Sequence, residues 1–275
     1  MLSGIMFLWF ILTALSVAFV ASDIRSTPES RVLKWAFVLI TAYSGPLGAF
    51  LYVLGCREPV PGLHSQYVSV RWRQVLGSTM HCVAGDGLGI LVGAVIGSLL
   101  RLPPPAHITL EYVLGFGFGW TIFQALFMRD MAGGSFRRAL SMTFIPEFLS
   151  MNALMGGMLA VMALMMANIP GTEDPQRASF WFVMSMALVG GAIIAYPINW
   201  WLVAHHLKHG MMTVRRPESS ASISLEAKGR VGHGATTGEH PVKPPTSAAL
   251  WGMAIVSITV FGAGLITFVI LPGMH

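Results

Sequence analysis

The sequence predicts an all-α fold, a polytopic transmembrane helical bundle of about seven spans. Three observations carry this. Hydrophobic residues make up 54% of the chain and charged ones only 11%, against roughly 45–50% and 25% in an ordinary soluble domain. Apolar runs of about 20 residues, the length that crosses a hydrocarbon core of ~30 Å as helix, recur along almost the whole chain. The runs are continuously apolar rather than alternating at every second residue, which selects helices over a barrel.

The first run, Leu2 to Ser22, ends in small residues as a signal peptide does. No Lys or Arg precedes it and it exceeds the usual signal core, so it reads as an anchored helix. Val32 to Gly55 is the second run, followed by a Pro-containing loop, Arg57 to Gln74, with Trp72 at interfacial depth. Residues 1–73 thus form a region of two N-terminal helices. Residues 74–214 hold a four-helix core, with spans at Gln74 to Leu100, Thr109 to Met128, Ala139 to Ile169 and Ser179 to Ala204. Residues 215–247 are rich in Ser, Gly, Pro and charge and contain no Phe, Trp or Tyr. Such a stretch cannot pack a core and reads as a disordered cytoplasmic linker. It tethers the last span, Ala248 to Leu271, in residues 248–275. No internal repeat supports an inverted-repeat transporter.

The formal charge of +5 does not point to nucleic acid, because the basic residues are scattered through the loops. The even loops carry Arg57, Arg71 and Arg73, then Arg129, Arg137 and Arg138, then Lys208, Arg215, Arg216, Lys228, Arg230 and Lys243. The odd loops carry only Arg25, Arg31, Lys34, Arg101 and Arg177. The positive-inside rule then places the even loops and the N-terminus in the cytoplasm, with His275 outside. Cys56 and Cys82 both fall toward the cytoplasmic side, where thiols stay reduced, so a structural disulfide is not expected.

In the third span Gly77, His81, Gly85, Gly89, Gly93 and Gly97 recur at every fourth residue. That row makes a smooth groove into which another backbone can press, and Gly115 and Gly119 in the fourth span supply a shorter partner ridge. Beside the row lie His81, Cys82 and Asp86, with Cys82 and Asp86 on one helix face. A carboxylate at this depth costs ~2.5–3.5 kcal/mol on insertion scales, so it faces the bundle interior and marks a candidate site. The fifth span carries Glu147 after Pro146, then a stripe of Met151, Met155, Met158, Met162 and Met165. Thioethers bind soft ions, but methionine also fills gaps between helices, and packing is the expectation for the stripe. The sixth span ends in Tyr196, Pro197, Asn199, Trp200 and Trp201, followed by His205, His206 and His209. His205 and His209 are four apart on one face, a spacing that suits a metal, but two histidines alone are a weak site and solvated interfacial histidines are the expectation.

The third and fifth spans begin on the side where the sixth ends. His81, Cys82, Asp86, Glu147, Asn199 and the terminal histidines therefore approach one leaflet, and Cys56 arrives there too. The stretch Trp72 to Val214 contains HCVAGDGLGILVGAVIG, PEFLSMNALMGGM and AYPINWWLVAHHLKHGMM. In these motifs it resembles the bacterial multipass membrane protein family catalogued as domain of unknown function 4396, a resemblance that implies a helical membrane protein and no particular activity.

The expected function is binding or transport of a soft metal ion such as copper at an intramembrane polar site drawn from His81, Cys82, Asp86, Glu147, His205 and His209. The competing expectation is a non-catalytic structural or assembly partner, in which the buried acids only hydrogen-bond. An enzyme ranks last, because a Cys82 nucleophile with His81 as its base would need neighbours that point about 100° apart on a helix. The lipid bilayer and a metal ion are the expected partners, and the glycine row permits a homo-oligomer.

Overall fold

Residues 2–128, 134–208 and 245–271 are described in the computed structural model, and every regular element among them is helical. The first helix, α1 (Leu2–Asp23), is apolar on all sides and exposed along most of its length, as a lipid-facing span must be. After it, Ser30 caps α2 (Arg31–Ser44) by accepting from the Leu33 amide at 3.2 Å. Gly45 then ends α2 in a positive-φ conformation (φ 57°), and Pro46 opens α3 (Pro46–Gly55) at the position where a missing amide costs nothing.

The second apolar run is therefore not one straight span. Gly45 and Pro46 break it, and α3 returns antiparallel to α2 to the end from which α2 set out. Tyr52 on α3 donates to Asp23 Oδ2 at 2.7 Å, and Arg57 reaches the same carboxylate at 2.9 Å. Glu29, before α2, meets His64 at 2.9 Å in the short helix α4 (His64–Val68) that follows α3. At the turn, Tyr43 packs on Gly87 and its carbonyl accepts from Ser185, so the tip reaches deep into the bundle. A hairpin of this kind satisfies its backbone internally and is tolerated at membrane depth because protein surrounds it.

The core follows. α5 (Arg71–Leu99) runs antiparallel to α6 (Pro104–Phe118), which continues through a π-helical turn, Gly119–Gln124, into α7 (Ala125–Met128). Backbone-to-backbone contact along this pair uses the glycine row as expected. A methyl at Gly93 would sit 2.8 Å from Glu111 Cα, and one at Gly85 would sit 2.9 Å from Gly119 Cα. α8 (Phe136–Met166) and α9 (Ala178–Ala204) cross at Gly157 and Gly191, and α10 (Ser247–Ile270) lies parallel to α8 with Gly264 on Gly156. The methionine stripe packs: Met151, Met155 and Met158 are fully buried in the common apolar core.

Five of these helices, α1, α5, α8, α9 and α10, are long and apolar enough to cross a membrane. The α6–α7 run lies alongside α5 over its length. Because the hairpin returns to its own side, the end of α1 and the start of α5 share one end of the bundle, which we call the basic end. Of the described Lys and Arg residues only Arg101 and Arg177 lie at the opposite, far end. The start of α1 also lies at the far end, which corrects the expected placement of the N-terminus beside the even loops. His209 and most of the 215–247 linker fall outside the described residues.

Candidate intramembrane cation site

Three elements bring their polar residues to one buried point. On α5, Cys82 and Asp86 are one helical turn apart and both fully buried. α8 contributes Glu147 and Ser150, three residues apart on one face. α9 contributes Asn199, whose amide nitrogen donates to Ser150 Oγ at 2.9 Å and to the Ala195 carbonyl at 3.1 Å. Ligand atoms of Cys82, Asp86 and Glu147 lie within 4.8 Å of one another. The Cys82 sulfur is 3.2 Å from Glu147 Oε2, 3.4 Å from Asp86 Oδ2 and 3.2 Å from Ser150 Oγ.

The fourth contributor is a residue that the sequence reading placed in a basic loop. Beyond α9 the chain reverses at His206, which has φ 56°, and the Leu207 amide bonds back to the Leu202 carbonyl. This turns Lys208 inward until it is only 5% exposed. Its ammonium donates to Cys82 Sγ at 3.1 Å, to Glu147 Oε2 at 3.2 Å and to Asn199 Oδ1 at 3.0 Å. All three ammonium hydrogens are thereby used. The Glu147 carboxylate at 3.2 Å is the counter-charge to this buried ammonium.

The remaining oxygens, Asp86 Oδ1 and Glu147 Oε1, find no donor among the described residues. Two carboxylates this close repel one another, and of the two the one ammonium of Lys208 contacts only Glu147. Gly119, in the π-helical turn, makes room for the pair: a methyl there would meet Glu147 Oε1 at 2.6 Å and collide with Asp86 Oδ1. π-Turns inside helices recur at functional sites, and this one sets a residue without a side chain against two carboxylates.

Of the residues singled out from the sequence, Cys82, Asp86 and Glu147 come together and Asn199 joins them. His81 is buried beside the cluster but sets its ring edge-on to Phe123, with centroids 5.7 Å apart, on the helix face next to that of Cys82. His205 turns away, its Nδ1 on the Trp201 carbonyl at 2.8 Å and its ring over that indole at 4.3 Å. A cavity of about 180 Å³ adjoins Lys208 on the side of the basic end, lined by Gln124, Met128, Met142, Thr143, Pro146, His206 and Leu207. Pro146 has no amide to offer the Met142 carbonyl, which leaves that carbonyl without its helical donor beside the cavity.

A family model described as Domain of unknown function (DUF4396) matches residues 71–208, half of the chain, from the first residue of α5 to Lys208. No curated protein and no solved structure matches. All the residues that form the buried cluster fall inside the matched segment.

Proposed function

The chain belongs to the DUF4396 family, and from its buried cluster we propose that it binds a soft or borderline metal ion, copper first among them, and passes it through the membrane. The observation that carries the reading is the place of Lys208. A thiol, a carboxylate and an amide oxygen converge on a single cationic position, which its own ammonium fills. Coordination there would draw on Cys82 as soft donor and on Glu147 and Asp86 as hard ones. A monovalent ion that replaces the thiol proton leaves the charge of the cluster unchanged, and metal binding of this kind releases a proton. Lys208 need only withdraw into the cavity it already adjoins.

Orientation follows from charge. With the hairpin folded back, all the described Lys and Arg residues but Arg101 and Arg177 lie at the basic end, which by the positive-inside rule supports a cytoplasmic basic end in an inner membrane. The cavity beside Lys208 then faces the cytoplasm.

Copper and zinc content after loading of the detergent-purified protein tests the reading. Wild type is expected to retain metal that Cys82→Ser loses, because a hydroxyl is a poor ligand for a soft ion. Equal, near-zero metal in both makes the cluster a structural charge knot holding α5, α8 and α9 together.

A further inference from the structure

Toward the far end, about 10 Å beyond Asp86 along α5, a second carboxylate is sealed between helices. Glu111 on α6 is 2% exposed and its backbone packs on Gly93. Its Oε1 lies 3.3 Å from His107 Nε2, and its Oε2 has no hydrogen-bond partner among the described residues. The same Nε2 is 3.2 Å from the Ala94 carbonyl oxygen. A carbonyl can only accept, so Nε2 carries hydrogen, and in the neutral ring the lone pair is at Nδ1. The His107 side chain is 24% exposed, one turn into α6 next to Pro103, Pro104 and Pro105, at the end of the bundle that meets water.

No other charge answers Glu111 among the described residues. α5 presents Gly93, Ala94 and Gly97 at this depth. α8 holds no ionisable side chain beyond Glu147, and α10 holds none at all. Asp86 and Glu147 lie deeper, and Arg101 lies past the end of α5. Neither fixed protonation state satisfies the pair. An ionised Glu111 leaves Oε2 without a donor, whereas a neutral one leaves its hydroxyl without an acceptor, since Nε2 already carries hydrogen.

We propose that His107 and Glu111 form a proton-loading site at the far end of the bundle, His107 taking a proton from the aqueous face and handing one to Glu111. A proton adds to Nδ1, and the imidazolium releases its Nε2 proton to Glu111 Oε1. One proton is taken up, the carboxylate becomes a neutral acid, and the ring is left neutral with hydrogen on Nδ1. The Nε2 lone pair then opposes the Ala94 carbonyl, which favours the reverse transfer and makes loading reversible.

Infrared difference spectroscopy on the full-length protein in bilayers reads the site directly through the carboxylic-acid C=O stretch, titrated from about pH 4 to about pH 9, the span between solvated and buried carboxyls. Wild type is expected to show a titrating band that Glu111→Gln removes and whose midpoint His107→Gln moves by about one unit or more. A carboxylic-acid titration that Glu111→Gln leaves unchanged, or a Glu111 component whose midpoint His107→Gln does not move, would overturn the proposal. Should Glu111→Gln fail to fold, the His107→Gln midpoint decides alone. Metal content at Cys82 is measured separately, so failure at one site does not count against the other.

Discussion

Lys208 shows how far a single side chain can be from its apparent setting. In the sequence it sits in HHLKH, two residues after a pair of histidines, and counts as one more positive loop charge. What turns it inward is a chain reversal at His206, for which neither residue type nor hydropathy gives a signal. Cys82, Asp86, Glu147 and Asn199 were legible, because polar groups at membrane depth must face the interior and the spans fix which leaflet they share. Glu111 obeys the same rule and was missed for want of a partner on its own helix face other than His107. Removing the ammonium leaves Glu147 charged and buried, so Lys208→Met is expected to destabilise the protein by ~3–5 kcal/mol, read as a lower Tm in detergent.

A residue-scale test of the hairpin's anchor uses Glu29. Burial holds its carboxyl above the ordinary 4.5, against the opposing pull of His64 and Lys34. A raised folded-state value means that the folded protein binds this proton more tightly than the unfolded chain. Its contribution to stability is then full below 4.5 and is lost as pH rises through the folded value. As pH rises from 4.5 through the folded value, Tm should accordingly fall less steeply in Glu29→Gln, and an unchanged slope would remove Glu29 from the anchor.

At the scale of elements, the glycine row was readable because period four on a helix has one physical meaning, a surface without side chains. Gly93→Leu would drive a side chain into Glu111 Cα, 2.8 Å from the methyl position. Overpacking of this kind costs ~1–3 kcal/mol, whereas Gly117→Ala, with nothing within 4 Å, should leave Tm at or slightly above wild type. The hairpin was not readable from hydropathy, since a run of that length scores alike whether straight or folded in half. Only Gly45 followed by Pro46 marks the turn. Cysteines placed at exposed Ser26 and Gln66 should react with an impermeant maleimide from the same side of sealed vesicles. Reaction from opposite sides would restore a straight second span.

For the whole molecule, the hairpin, the basic end and the buried cluster are one arrangement. Folding α2 against α3 gathers the positive charge at one end, and that is the end from which Lys208 enters and near which the 180 Å³ cavity lies. The account's central claim is that the ammonium holds the place of an exchangeable metal ion. Copper bound per protein in Lys208→Met tests this most directly, because the substitution removes the competing cation and leaves Cys82, Asp86 and Glu147 in place. The account predicts as much copper as wild type or more. Copper no higher than in Cys82→Ser would contradict it.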